Sequence, residues 1–543
     1  MLPSASAPGA ETDTAPGANQ AALDSEIHEY LHIRQQRRRL FPRAALVGLL
    51  AGLIAVAFRA ALAAADAARD ALLSWAHRLG AFGWIFAVLF SAFGATAAVF
   101  LVRRFAPEAS GSGIPHLEAV LHRYRELHWR RLLPVKFLGG VFALGSGLVL
   151  GREGPTVQMG GAVGAAVADK LRAGQRDRAV LIASGAGAGL AAAFNAPLSG
   201  LVFVLEEVQK DFRPAVFGAA FLAAAVADIL ARFASGQLPV FHVPSYPVLD
   251  LALLPAFVVL GLACGVLGVA FNRALLSTLN AYARVPARLV LPAVATVGGF
   301  VGLAAWFSPV AVGGGHNLAE MFLAGEAAPR TLTAIGVWFA VRFVFGMASY
   351  GTGAPGGIFA PLLVLGALVG LAVGQTTHTL FPQLVPTPAV FAVVGMAAYF
   401  TAIVRAPLTG VVLIIEMTGS YAQMLPLLVA CFCAYLAAES LGELPIYESL
   451  LERDLRRGGT VFDPDEPYIV EVEVEPGSRF ENKMVRELGL PPGCILVRCR
   501  DERHEWLPTA NTRLAAHVRL TAMISPEATN AGEILRAGCE VPD

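Results

Sequence analysis

The sequence predicts an all-α polytopic membrane protein with a small cytoplasmic α+β domain at its C-terminal end. Of the 543 residues, 56% are hydrophobic and only 15% are charged, whereas a soluble protein has about 25% charged residues. No Asp, Glu, Lys or Arg occurs in residues 179–205 or 343–404, and a membrane-spanning helix needs about 20 apolar residues. These stretches therefore hold several spans. The composition becomes charged and soluble after about residue 448, which predicts the terminal domain.

The N-terminal region predicts a disordered leader and a cytoplasmic N-terminus. Residues 1–23 are mostly Ala, Gly, Pro, Ser and Thr without an apolar period, a composition that cannot bury a core. A polar helix is expected over residues 24–39, and it ends in an arginine cluster just before the apolar run that begins at Ala44. Basic residues next to a span favour the cytoplasmic side.

Charge and cysteine content exclude several classes of partner. The 41 basic and 41 acidic side chains balance, so no surface for nucleic acid is predicted. The six cysteines have no zinc-like spacing, and buried thiols without a ligand are the expected state. The sequence therefore predicts no metal site and no cofactor.

An internal repeat organises the predicted membrane domain, residues 24–450. The segment 195–206 resembles the segment 405–416 at a constant offset of 210 residues. A glycine-rich turn that ends in proline precedes each copy, at 151–155 and 356–361. Two similar halves with broken helices are typical of secondary transporters, whose substrate lies near the membrane midplane between the repeats.

The predicted terminal domain, residues 451–543, reads as α+β. Residues 468–474 alternate, with Val470, Val472 and Val474 on one face and Glu471 and Glu473 on the other, the period of a half-buried strand. Residues 495–498 and 518–524 predict further strands, and a short amphipathic helix is expected near residues 483–488.

Three glycine motifs carry the chemistry. GSGIP at 111–115, GREGP at 151–155 and GIFAP at 357–361 each open a predicted helix inside apolar sequence. The first N–H groups of a helix lack partners and carry about half a positive charge, which favours an anion. Dipoles, unlike a Lys or Arg side chain, allow rapid release. We therefore predict an anion site at converging helix starts; simple kinks or tight helix contacts are the alternative.

Two carboxylates stand out. Glu153 begins the second motif's helix, where a carboxylate can take the place of an anion; the alternative is an ordinary helix cap. Glu206 has a repeat counterpart in Glu416, whereas Glu207 aligns with Met417. This asymmetry suggests that Glu207 performs a function of one half only, and the alternative is a solvated helix end.

The motif triplet, followed by Tyr447 after the last apolar helix, resembles the CLC family of chloride channels and proton/chloride antiporters over about residues 24–450. The resemblance implies about eighteen helices in two inverted repeats and a homodimer with one pore per subunit. It implies that the Ser112 and Tyr447 hydroxyls and the Ile358 and Phe359 amides bind chloride centrally. The backbone of Arg152, Glu153 and Gly154 would form an outer chloride site.

By the same resemblance, Glu153 would be the external gate that also exchanges protons, and Glu207 the internal proton acceptor. Glu118 would pair with Arg152 in a structural role, and His116, without an implied role, is expected at the surface. The implied function is proton/chloride antiport across a prokaryotic inner membrane, with Ser112 favouring chloride over nitrate.

Three other functions were weighed against antiport. A passive chloride channel of the same fold is the nearest. A membrane-embedded enzyme finds no support, since the charge-free spans contain no HExxH pair and no Gly-x-Ser-x-Gly turn occurs in the sequence. A potassium channel finds little, since the filter sequence TVGYG is missing.

The tail resembles the C-terminal domain of TrkA-type potassium-uptake regulators, through residues 472–478, 488–491 and 500–508. That resemblance implies a small ligand of unknown identity. Ala516 and His517 stand where the family usually has Gly-Asp, so a packing or dimer-contact role is an equal alternative.

Overall fold

A computed structural model describes residues 16–210, 214–241, 243, 246, 250–324, 331–385, 387–458, 467–501, 504–525, 527–528 and 530–540. The chain forms two compact units, one up to Asp454 and the other from Leu455. Residues 1–15 of the predicted leader lie outside the described residues, and the first helix already begins at Pro16.

The first unit is helical throughout its described residues. In chain order its helices are α1 Pro16–His77, α2 Trp84–Phe105, α3 Ile114–Leu121, α4 Trp129–Gly145, α5 Glu153–Lys170, α6 Gln175–Phe194, α7 Pro197–Phe203, α8 Pro214–Ser235, α9 Leu254–Ala283, α10 Val290–Phe307, α11 His316–Ala324, α12 Leu332–Gly351, α13 Phe359–Leu380, α14 Ala389–Val404, α15 Pro407–Thr418, α16 Met424–Ser440 and α17 Ile446–Gly458. The fold agrees with the predicted one, although α1 joins the expected polar helix and the first span into one helix.

The apolar helices make this unit an integral membrane protein. Eight described helical segments are long and apolar enough to cross a membrane: 38–77, 80–105, 175–194, 216–235, 251–283, 287–307, 332–351 and 359–380. Helices α14, α15 and α16 are shorter but equally apolar. The charge-free stretches of the sequence thus contain most of α6, all of α7, α13 and α14, and the last nine residues of α12, as the hydropathy predicted.

The repeat seen in the sequence is also a repeat of structure. Helices α5 to α8 and α13 to α16 follow one another in the same order and at nearly the same spacing. An unusual backbone conformation is repeated as well. Asn195 ends α6 with a positive φ of 51°, and Arg405 ends α14 with a positive φ of 69°. Left-handed backbone is unusual for residues other than glycine, so its recurrence at the 210-residue offset marks two copies of one unit.

The two halves exchange helix caps. The Glu416 carboxylate accepts hydrogen bonds from the Leu198 and Ser199 N–H groups at 3.0 and 2.7 Å, at the start of α7. The Glu206 carboxylate accepts the equivalent bonds from Leu408 and Thr409 at 3.1 and 2.7 Å, at the start of α15. Such mutual exchange is what a local two-fold axis between the halves produces, as expected of inverted repeats.

The second unit is a small α+β domain, as predicted. It contains β1 Tyr468–Glu473, β2 Cys494–Arg500, β3 Glu505–Trp506, β4 Arg519–Ile524 and α18 Ala531–Cys539. The antiparallel sheet has the order β1-β4-β2-β3, and Val470 and Val472 pack on its core as the alternation indicated. The helix expected near 483–488 is wrong: only a 3-10 turn, Val485–Glu487, forms there.

Candidate functional site

The three glycine turns are joined by backbone hydrogen bonds. Gly151 and Gly357 exchange two N–H to carbonyl bonds, of 2.6 and 2.7 Å, and Gly356 donates to the Gly111 carbonyl at 3.0 Å. A Cβ on Gly357 would lie 3.1 Å from the Gly154 nitrogen, which is closer than side chains normally approach. The motifs are about 40 and 200 residues apart in the chain, and they meet at one place.

Each motif starts a helix at this place. Helix α3 begins at Ile114 after Gly113, whose φ of 85° favours glycine, while α5 begins at Glu153 and α13 at Phe359. The start of α13 is held by aromatic packing, with the Phe359 ring 4.5 Å from that of Phe400 and 5.5 Å from that of Phe194. Free N–H groups and the positive ends of these helices are therefore concentrated in the protein interior.

Two buried hydroxyls lie beside the helix starts. Ser112 and Tyr447 are almost completely buried, and the Ser112 Oγ would lie 2.5 Å from a Cβ on Gly154. The two hydroxyls interact with each other, yet neither has a hydrogen-bond partner of good geometry among the described residues. Buried hydroxyls normally have such a partner, so these two are suited to an anion that would accept their hydrogens.

Glu153 reaches the same place with its carboxylate. The residue is 3% exposed, and its Oε2 has no geometrically acceptable hydrogen bond among the described residues. A Cβ on Gly151 would touch both this oxygen and the Ala360 nitrogen in the first turn of α13. The Glu153 carboxylate therefore lies at the positive end of α13.

Glu207 is a second buried carboxylate, some distance along the chain from the glycine turns. It lies in a π-helical turn, Val204–Val208, a feature that is frequent at functional sites. Only 3% of the residue is exposed, so a solvated helix end is excluded. Its Oε1 has no partner among the described residues, and Glu118, Lys210 and Glu448 lie within electrostatic range.

Comparisons with known proteins agree with this geometry. The family described as voltage gated chloride channel matches residues 93–439, and the TrkA-C domain matches residues 469–531. The protein belongs to the voltage-gated chloride channel family, the CLC family. A curated CLC relative, the H(+)/Cl(-) exchange transporter ClcA of Vibrio parahaemolyticus, is 45% identical over 379 residues, which are 69% of this chain and 80% of the relative.

Solved structures of the family have the same fold. The crystal structure of a slow cyanobacterial Cl−/H+ antiporter matches with a TM-score of 0.75 at 36% identity, over 78% of this chain and 99% of that one. A eukaryotic CLC transporter matches with a TM-score of 0.66 at 22% identity, over 94% of this chain and 91% of that one, which shows the shared fold.

Two expectations for side chains were wrong. His116 is buried rather than at the surface, and its Nδ1 lies 3.3 Å from the Gln158 Nε2. Glu118 lies near Glu207 and Lys210 instead of pairing with Arg152, whose guanidinium donates to the Ala193 carbonyl at 3.2 Å. Helix α3 enters the interior with all its faces covered, and its sequence has no signal for this.

Sequence reasoning also missed Lys136. This lysine is completely buried in α4, and its Nζ donates to the Ala109 and Gly111 carbonyls at 3.0 and 2.7 Å. A buried ammonium needs such partners. Lys136 therefore fixes the GSGIP turn in place, and a charged residue inside an apolar helix was the available signal.

Proposed function

We propose that this CLC protein is a proton-coupled chloride antiporter that exchanges chloride for protons across the membrane. The observation that carries the proposal is the meeting of the α5 and α13 starts, two unpartnered hydroxyls and the Glu153 carboxylate at one buried place. The related transporter from Vibrio parahaemolyticus, named as an H(+)/Cl(-) exchanger, supports the same reading.

Chloride would bind without meeting a full positive charge. The Ser112 and Tyr447 hydroxyls and the Ile358 and Phe359 amides would replace its water centrally, and the backbone of residues 152–154 would hold it farther out. Each contact is a neutral hydrogen bond or a helix dipole, so the ion binds and leaves readily.

Coupling would follow from competition between Glu153 and chloride. The ionised carboxylate is attracted to the start of α13, and protonation removes that attraction. A protonated Glu153 therefore leaves the place to chloride, and chloride entry in turn favours the protonated form. Anion movement is then linked to protonation of the same residue.

Protons would reach the inner side through Glu207. The residue is buried, but it lies beside the Lys210–Glu448 ion pair, whose side chains are 42% and 39% exposed. Glu207 thus lies within electrostatic range of side chains that reach solvent, which supports proton exchange through this pair. The Met417 counterpart in the other half cannot carry a proton, so only one half has this function.

The remaining parts of the proposal concern assembly and location. We place the protein as a homodimer in the inner, or plasma, membrane, with both termini in the cytoplasm. The orientation follows from the basic residues that cluster just before the first span. The C-terminal unit is assigned a packing or dimer-contact role. His517 has left-handed backbone, with φ 64°. The Arg519 and His517 side chains lie against the Glu473 carboxylate and lower its pKa.

Antiport is tested with the purified full chain in liposomes. A chloride gradient should drive protons uphill, and Glu207→Gln should abolish proton movement while chloride flux continues. Glu126→Gln, at a side chain that is 87% exposed, is the matched control and should leave both fluxes unchanged. Chloride flux without uphill proton movement in the unaltered protein would establish the passive channel instead.

A further inference from the structure

A cavity of about 410 Å³ leads to Glu153. Its lining includes Gly151 and Ala360 at the glycine turns, and Arg59 on α1. Arg59 follows the basic end of the leader helix by about 20 residues, which is about 30 Å of helix and the thickness of a bilayer core. The cavity therefore opens on the side opposite the N-terminal arginine cluster.

Arg59 differs from the other arginines of this cavity. Arg69 donates to Asp66 at 2.8 Å and to Asp70 at 3.4 Å, so its charge is offset although its Nε lacks a partner. Arg152 donates to a backbone carbonyl. Arg59 Nη1 is buried without a hydrogen-bond partner among the described residues, and the charge interaction of the guanidinium is repulsion from Arg152.

Two like charges beside a water-filled cavity are stabilised by an anion between them. The charged lining consists of the three arginines 59, 69 and 152, the three carboxylates Asp66, Asp70 and Glu153, and His316, which stacks on Phe241 with ring centroids 5.0 Å apart. With Glu153 ionised, the arginines and carboxylates balance. Protonation of Glu153 leaves one net positive charge, so the cavity attracts an anion when the gate is free to admit it.

We propose that Arg59, together with Arg152, forms an anion-binding site in this cavity that captures a small monovalent anion ahead of the Glu153 gate. Its ligand class is a halide or an ion of similar size and charge, because the orphan N–H group offers a hydrogen bond and the cavity offers water. The capture role rests on the proposed antiport function, whereas binding itself does not.

Transport kinetics test the capture role. Tracer chloride exchange is measured on the full chain in liposomes, with equal chloride on both sides and constant ionic strength. Arg59→Gln should raise the half-saturating chloride concentration about tenfold, because a charged cleft concentrates counter-ions by about 10-fold or more. Maximal rate and uphill proton movement should stay within about twofold of the unaltered protein, and Arg59→Lys should lie between the two.

Arg103→Gln, at an exposed arginine outside the cavity lining, is the matched control and should change half-saturation by less than twofold. A merely structural arginine would lower the maximal rate and leave half-saturation unchanged. An unchanged half-saturation in Arg59→Gln therefore overturns the capture role. If the unaltered protein moves no protons uphill, antiport is refuted, but the half-saturating chloride concentrations of the variants can still be compared.

Bromide scattering tests the site itself and does not depend on a variant that folds. Crystals of the unaltered protein in bromide should show anomalous density in contact with the Arg59 guanidinium, in addition to any density at the glycine turns. Density at the turns with none at Arg59 overturns the site.

Discussion

The exchanged helix caps should stabilise the membrane unit strongly and equally. Each of Glu206 and Glu416 accepts three hydrogen bonds: two from backbone N–H groups and one from a hydroxyl, Thr409 Oγ1 at 2.7 Å or Ser199 Oγ at 2.6 Å. Replacing either glutamate by alanine removes all three bonds and leaves the donors at a helix start without partners. Both sites are partly buried, so water replaces the lost acceptor only in part.

The expected cost follows from these contacts. A hydrogen bond to a charged group contributes about 1.5–3 kcal/mol, and loss of a helix cap alone costs about 1 kcal/mol. Because hydrogen bonds that share one carboxylate are not additive, we expect Glu206→Ala and Glu416→Ala each to lower the free energy of unfolding by about 3 kcal/mol. The glutamine variants keep an acceptor and should lose about 1 kcal/mol.

Unfolding in mixed micelles by increasing SDS, followed by circular dichroism, measures these differences. Glu126→Ala at an exposed position is the control and should cost less than about 0.5 kcal/mol. Size-exclusion chromatography verifies that the assembly is unchanged. The local two-fold relation predicts that the two alanine variants agree within about 1 kcal/mol. A loss below about 1 kcal/mol in both, or a large loss in only one, would refute the reasoning.

Three further results are expected. Burial raises the pKa of Cys499 and of Cys539 to about 11, so these two thiols should be labelled at pH 8 only on unfolding of the C-terminal unit; rapid labelling of either thiol in the native protein would contradict this. Lys136→Met should lower both chloride affinity and thermal stability, because two carbonyls lose their hydrogen-bond donor. The control Lys483→Met should change neither quantity. Binding titrations measure the affinity and melting curves measure the stability. Glu448→Gln should slow proton flux severalfold and leave chloride flux unchanged, because Lys210 without its ion-pair partner favours the ionised form of Glu207. Equal slowing of both ion fluxes would argue against this role of the ion pair.

Local sequence was enough for much of the site. The three glycine motifs predicted helix starts, and α3, α5 and α13 begin at them because glycine and proline determine backbone conformation within a few residues. The 210-residue repeat predicted two similar halves and paired Glu206 with Glu416, the two carboxylates that exchange caps in the structure. The resemblance to the CLC family is confirmed by the matching family and relatives.

Burial and partners were decided by the tertiary structure. His116 and Glu118 stand in mixed sequence, and only their contacts reveal them as buried and specifically placed. In the sequence, Arg59 is one more charged residue on a helix. The structure shows that it lines a cavity together with Arg152. Hydropathy and turn propensity depend on residues that are close together in the chain, so the sequence by itself determined the helices, the two halves and the glycine turns. The hydrogen bond from Gly356 to Gly111 and the pair between Gly151 and Gly357 join residues more than 200 positions apart, and no local pattern encodes which distant groups will share one buried place.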